Sequence, residues 1–332
     1  MAESTKIEWT DATVNFWWGC TKVGPGCDHC YAESFDRRVG GAHWGIGAPR
    51  RKIASAVKML HRLDNGYSEW AADAICRREN AKAFGLPVPT VGNRRRVFIQ
   101  SMSDLFDLEV PLEWFAEAWD RIHVCNRLEI QIVTKRVSAI EKRLAAVGKT
   151  WPKHAGLIIT VVDQDEADRD IPRALALMER FRIPWLGLSC EPLLGAIRLP
   201  GAFLALGERG WCIVGGESGA KARPMHPDWA RSIRDQCEAA GTAFFFKQNG
   251  AYEIVYDRDR EDPDWRRCDE VESRTPTGRW LNLEGGHGFH GARVVRAAPV
   301  GKAAAGRLLD GREWNEFPEV RPPEAPMNEE AA

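Results

Sequence analysis

Apolar residues in this chain fall into two repeating patterns. Continuous, largely β-branched or aromatic runs recur at Val97–Gln100, Leu128–Val133, Leu157–Val162, Trp185–Leu188, Trp211–Val214 and Ala243–Phe246, which is how strands buried on both faces read. Between most of them apolar residues return three and four positions apart, over Leu112–His123, Val137–Val147, Glu166–Phe181 and Pro227–Ala240. That spacing predicts amphipathic helices. Further helices are expected from Tyr31 through Arg38, over 68–84 and over Gly301–Leu309. A short strand is expected at Val14-Asn15-Phe16-Trp17-Trp18, bringing the strands to seven. Buried strands alternating with covering helices predict an α/β fold with a parallel sheet, a partial or complete (β/α) barrel in preference to an open doubly wound sheet.

Beyond Gly250 the alternation stops. Residues 256–295 are dense in Asp, Arg, Glu and Gly, with Pro263 and Pro276, and are expected to form an irregular or small β excursion, a candidate lid. The stretch from Glu319 to Ala332, rich in proline and glutamate, reads as a disordered tail. The expected organisation is a barrel over 1–250, a polar extension packed on it over 251–318, and a tail over 319–332.

Charge changes this picture little. The 46 basic residues against 47 acidic ones leave a net charge of −1, so no global field draws the protein to nucleic acid or membrane. Two local basic runs stand out, Arg50-Arg51-Lys52 and Arg94-Arg95-Arg96. The N-terminus has no apolar stretch and no later run approaches a membrane span, so a cytoplasmic protein without membrane contact is expected. Most of the fourteen tryptophans read as packing residues, although Trp9, Trp17, Trp18 and Trp44 flank the stretch that carries the chemistry.

That stretch is Gly19-Cys20-Thr21-Lys22-Val23-Gly24-Pro25-Gly26-Cys27-Asp28-His29-Cys30-Tyr31. Its cysteines are separated by six and then two residues, on a loop whose glycines and proline oppose helix. Three thiols cannot pair among themselves, which favours a metal or cluster over a disulfide. A [4Fe–4S] cluster takes one thiolate per iron and would keep one iron open. A structural zinc needs a fourth ligand, and His29, between two ligands, is poorly placed to supply it. Three ordinary buried thiols are the remaining reading. The other cysteines (Cys76, Cys125, Cys190, Cys212, Cys237 and Cys268) read as small hydrophobes.

Each expected strand is followed by polar residues: Ser101-Met102-Ser103-Asp104, Thr134-Lys135-Arg136, Asp163-Gln164, Ser189-Cys190-Glu191-Pro192, Gly215-Gly216-Glu217-Ser218-Gly219 and Lys247-Gln248-Asn249. In a barrel these share the C-terminal rim with the cysteine loop, where catalytic residues gather. The glycines of the 215–219 run would let backbone N–H groups approach a ligand, and Glu217 would accept from an amine or hydroxyl. Arg223, Pro224 and His226 follow it.

The run Ile7-Glu8-Trp9-Thr10-Asp11-Ala12-Thr13, with Gly19-Cys20 and Gly26-Cys27-Asp28-His29-Cys30-Tyr31-Ala32-Glu33, resembles the phage and prophage three-Cys-motif proteins, a radical-SAM-like family. The resemblance continues through Ser103-Asp104-Leu105-Phe106, Thr134-Lys135-Arg136, Glu191-Pro192-Leu193-Leu194, Gly215-Gly216-Glu217-Ser218-Gly219, Phe246-Lys247-Gln248 and Gly301-Lys302 to Gly311-Arg312. It implies a barrel of the radical SAM type, in which Cys20, Cys27 and Cys30 hold a [4Fe–4S] cluster whose open iron takes S-adenosylmethionine. Six residues, where such loops usually have three, separate the first two cysteines, and His29 occupies the usual aromatic position. Ser103 and Asp104 stand where a glycine-rich amino-binding motif usually follows the second strand. The resemblance thus implies a cofactor site of Ser103, Asp104, Gly215, Gly216 and Glu217, with Asp104 on the amino group and Glu217 toward the ribose or substrate. Lys135, Glu191 and Lys247 are the catalytic candidates.

The function so implied is radical chemistry on a nucleotide or nucleic acid, with a flavodoxin- or ferredoxin-like reductant. Two other classes fit the residues: a zinc-stabilised, nucleic-acid-associated binding protein, and a metal-dependent hydrolase using Asp104, Glu191 and Glu217.

Overall fold

The computed structural model describes residues 1–86, 94–259, 261–263, 268–288 and 293–319. The N-terminal part runs β1 (Ala12–Thr13), β2 (Trp17–Trp18), α1 (Tyr31–Arg38), β3 (Arg51–Lys52), α2 (Ser55–Asn65) and α3 (Tyr67–Ala83). Then come β4 (Arg96–Ile99), α4 (Leu112–Val124), β5 (Glu129–Thr134), α5 (Val137–Val147), β6 (Ala155–Thr160), α6 (Gln164–Phe181) and β7 (Leu186–Cys190). The rest is α7 (Gly201–Leu204), β8 (Gly210–Gly215), α8 (Pro227–Ala240), β9 (Ala243–Gln248), β10 (Tyr252–Asp259), α9 (Cys268–Arg274), β11 (Arg279–Leu281), β12 (Arg293–Pro299) and α10 (Lys302–Ala305).

Seven strands form one parallel sheet in the order β1-β4-β5-β6-β7-β8-β9. The order never reverses, so right-handed crossovers place the helices α2, α4, α5, α6 and α8 on the same face and the sheet curls around the other. This is the partial barrel of the two expected forms. Alternate residues show both faces buried: Val97, Leu157, Cys212 and Phe244 pack under the helices, while Phe98, Ile158, Trp211 and Phe245 fill the concave side with Trp9 and Trp185. Gly156 makes room for the last of these, since a Cβ there would lie 2.0 Å from the Trp185 ring.

The open edges are covered. Ala2 bridges Thr13 beside β1, and Asn315 bridges Phe245 beside β9, both antiparallel. Trp211 Nε1 donates to the Glu316 carbonyl at 2.9 Å, and Phe317 packs against the concave core. The chain after α10 thus returns to plug the barrel.

The strand expected over Val14–Trp18 divides. Ala12–Thr13 joins the parallel sheet, whereas Trp17–Trp18 turns away to pair antiparallel with Arg51–Lys52. Helix α2 was not expected, although its Met59, Leu60 and Leu63 are buried at helical spacing. The helix expected over Gly301–Leu309 stops after one turn, at Gly306 with φ 67°. Residues 252–299 include a three-stranded antiparallel sheet, β10-β12-β11. It is tied to α8 by Arg231–Asp257 at 2.7 Å and by Trp229 Nε1 donating to the Leu283 carbonyl at 2.6 Å. The expected disordered tail lies outside the described residues from 320 onward. Among the described residues no helix is long and apolar enough to cross a membrane.

Candidate functional site

The loops at the C-terminal ends of the parallel strands surround a cavity of about 590 Å³. Its walls include Cys20, Cys27, Cys30, Ser103, Asp104, Lys135, Arg136, Glu191, Gly216, Glu217 and Lys247. The sequence thus named most of the polar wall. Gly215 lies behind it, at the end of β8, where a Cβ would come within 2.7 Å of Glu191 Oε1. Asp163 is not in the wall: its side chain accepts from Glu166 N at 2.9 Å as the N-cap of α6. Thr160 takes that strand's place in the wall. Trp9, Thr13 and Lys302 also line the cavity; Lys302, from the end of the chain, carried no signal that tied it to the rim.

All three cysteines of the loop are free thiols, with Cys27 buried and the other two half-buried. Among the described residues no group of three His, Cys, Asp or Glu side chains is set for metal binding. The thiols share a cavity without forming a ready ligand triangle. Their chemistry nonetheless suits an iron–sulfur cluster: soft sulfur donors on one short loop facing one space. Arg136 Nη2 lies 3.7 Å from Cys20 Sγ and donates to the Thr21 carbonyl at 2.8 Å. Burial, with the Asp104 charge added, pushes the Cys20 thiol up to about 12 against the pull of Arg136. Cys30 occupies the N-cap of α1.

A second set of contacts holds the loop from across the cavity. Glu217, 7% exposed, accepts from His29 Nδ1 at 3.0 Å, and from Arg223 through its backbone N at 2.8 Å and Nη2 at 2.7 Å. Arg223 reaches on to Asp28 Oδ2 at 3.1 Å and the Pro25 carbonyl at 3.0 Å. Burial raises the Glu217 carboxyl, but the hydrogen bonds from Arg223 and His29 outweigh it and leave the group below the usual carboxylate range. His29 is therefore turned to Glu217. The backbone of the 215–219 run is occupied as well. Gly216 N donates to the Gln248 carbonyl at 2.9 Å, and a Cβ on Gly216 would lie 2.4 Å from the Asn249 carbonyl oxygen. Close loop packing, and not an approach to a ligand, requires glycine at 216.

Asp104 is buried and its two oxygens accept from Phe106 N at 2.9 Å, Lys135 N at 2.9 Å and the Thr134 hydroxyl at 2.8 and 2.9 Å. Burial raises its carboxyl. Glu191 and Lys247 form an ion pair, with Nζ 3.0 Å from Oε1. Lys135 extends toward the cysteine loop, its Nζ 3.8 Å from where a Cβ on Gly26 would stand.

The two basic runs divide. Arg50 is buried, its Nε donating to Asp107 Oδ2 at 2.9 Å, while Arg51 and Lys52 are exposed. Arg94, Arg95 and Arg96 lie at the opposite end of the sheet, where Arg94 donates to the Asn126 carbonyl and Arg96 pairs with Asp11. That run therefore holds the fold and does not flank the cavity. A groove of about 600 Å³, lined by Met178, Arg182, Arg209 and Glu319 among others, also lies at the far end and contains none of these groups.

A family model described as protein of unknown function (DUF5131) matches residues 4–318. No curated protein matches the chain. Two solved structures of spore photoproduct lyase mutants are similar over 90% of this chain and 71% of theirs, at 12% and 13% identity and a TM-score of 0.37. One holds AdoMet and dinucleoside spore photoproduct, the other dinucleoside spore photoproduct. So loose a correspondence adds nothing to the strand order described above.

Proposed function

We propose that this chain, which belongs to the DUF5131 family, is a radical S-adenosylmethionine enzyme acting on a nucleotide or nucleic-acid substrate. The observation that carries this reading is the meeting of three free thiols from one loop with polar residues from the neighbouring strand ends, around one cavity on the C-terminal rim of a parallel partial barrel. Cys20, Cys27 and Cys30 would hold a [4Fe–4S] cluster. Cluster and S-adenosylmethionine bound there would supply, with one electron from a reductant, a 5′-deoxyadenosyl radical able to take a hydrogen atom from substrate.

The chain's own residues divide the remaining work. Arg136 compensates negative charge on Cys20. Glu217 and Arg223 fix the Cys27–Cys30 segment through His29, Asp28 and the Pro25 carbonyl. We assign Asp104 to holding the Thr134–Arg136 turn and not to the cofactor's amino group, because its oxygens already accept from three donor residues. Glu191 and Lys247 keep a charge-paired proton donor at the cavity wall, on Lys247 Nζ. Lys135 offers a cation to an anionic part of cofactor or substrate.

A hydrolase using Asp104, Glu191 and Glu217 fits less well. Asp104 and Glu217 are already matched, by backbone and Thr134 donors and by Arg223 with His29, which leaves Glu191, paired with Lys247, as a lone carboxylate where a divalent cation needs several oxygen ligands. The deciding experiment is electron paramagnetic resonance of the anaerobically reconstituted, reduced protein, with and without S-adenosylmethionine, beside Cys27→Ala. A [4Fe–4S]⁺ signal that changes with the cofactor and is lost in the variant supports the reading. A protein that takes up zinc and never forms a cluster ends it.

A further inference from the structure

Helix α1 wears its residues inside out. Its acids point inward: Glu33, 8% exposed, pairs with Lys22 at 3.0 Å, and Asp36, 1% exposed, accepts from His43 Nδ1 at 2.8 Å. Its outer face carries Tyr31, Phe35 and, just past its end, Val39, at 60%, 42% and 57% exposure. These positions are four apart and so form one line along the helix. Arg38, exposed and seven residues beyond Tyr31, lies on the Tyr31 side of that line. Beside it the Trp18 ring meets Phe35 edge-on at 5.8 Å, and the Arg51 guanidinium sits 5.5 Å from the centre of the Trp18 ring.

Water-exposed aromatics alternating with guanidinium groups cost stability and solubility on a surface with no partner. The inward turn of Glu33 and Asp36 leaves this strip positive although the whole chain is nearly neutral. Exposed rings give unpaired bases a surface to stack on, and the arginines between them match a phosphate backbone. The strip also begins at the cavity, whose wall includes Tyr31.

We propose that this strip, Tyr31, Phe35 and Arg38 with Trp18 and Arg51, is a track for single-stranded nucleic acid that delivers a nucleotide to the cavity. The proposal rests on the radical reading of that cavity and names its substrate class. Duplex would serve poorly, because its bases are already stacked on one another.

The test is fluorescence anisotropy of a labelled oligothymidylate of about fifteen nucleotides, bound by the full chain across a salt series. The double variant Arg38→Gln/Arg51→Gln should flatten the slope of log affinity against log salt by about 1.4, two single-strand phosphates at ~0.7 each. Phe35→Ala should weaken binding roughly tenfold at constant salt. All three substituted side chains are exposed or at the surface, so folding is not at stake. Absence of binding, or binding indifferent to these changes, overturns the proposal. So does a duplex of the same length held as tightly as the single strand, or self-association in sedimentation that Phe35→Ala abolishes, which would make a second copy the occupant. The assay needs neither cluster nor cofactor. A bound strand on a protein that never forms a cluster sinks the radical reading alone, and a cluster signal without strand binding sinks this proposal alone.

Discussion

His29 Nδ1 lies 3.0 Å from Glu217 Oε2 across 188 residues of chain. The contact joins the interior of the Cys27–Cys30 spacer to the loop after β8, and Arg223 completes it by reaching both partners' loops. A flexible, glycine-rich loop carrying three thiols would otherwise spread over many conformations. The clamp removes that freedom before any ligand arrives.

Removing Arg223 should free the loop. Arg223→Ala is expected to cost about 1–3 kcal/mol, below the ~3–5 of a fully buried pair, because the arginine side chain is 31% exposed. Alkylation of the apo protein, read by peptide mass, should accelerate severalfold at Cys27 and Cys30 and little at Cys20, which Arg136 and the burial around it hold separately. Equal acceleration at all three would show that the clamp holds no particular segment.

Asp104→Ala separates two roles for that carboxylate. As an anchor of the Thr134–Arg136 turn, its loss strands buried donors and should lower stability by about 2–4 kcal/mol in a denaturant titration. As a ligand of the cofactor's amino group, its loss would leave stability intact and weaken S-adenosylmethionine binding alone. The hydrogen bonds favour the first outcome.

Gly216→Ala should destabilise by about 1–3 kcal/mol, because the added methyl meets the Asn249 backbone at 2.4 Å and backbone cannot swing away. A melting temperature equal to that of the parent would mean that the two loops part easily.

Glu129 sits buried near the N-terminal end of β5, and burial raises its carboxyl to about 7. Between the ordinary glutamate range and that value, the unfolded chain is ionised and the folded one protonated. Stability should therefore fall as pH rises through this window and level off above about 7. Glu129→Gln should remove that loss, so its gain in melting temperature is larger at pH ~8 than at pH ~5, worth at most ~3 kcal/mol. An equal gain at both pH values would place the charge elsewhere.

Much of the fold was legible because a parallel strand buried on both faces leaves a continuous apolar run, and its covering helix a three-and-four repeat. Val137–Val147 and Pro227–Ala240 match the structure residue for residue. Short or shared elements were not legible. Val14–Trp18 reads as one strand, yet Ala12–Thr13 and Trp17–Trp18 serve different sheets, since a partner strand is chosen by distant residues and leaves no periodicity of its own. The place of Arg94–Arg96 was not legible for a similar reason: charge in sequence does not tell which end of a sheet carries it.

The sequence by itself determined the α/β alternation, the three-cysteine loop and the polar residues after the strands, because each is a local matter of spacing and residue chemistry. Tertiary structure decided which of those residues share the cavity. It sent Asp163 to a helix cap, bound Asp104 to its neighbours' backbone, and brought Glu217 and Arg223 onto the cysteine loop. Hydrogen bonds between residues far apart in the chain depend on how the sheet curls, and that curvature belongs to the packed whole.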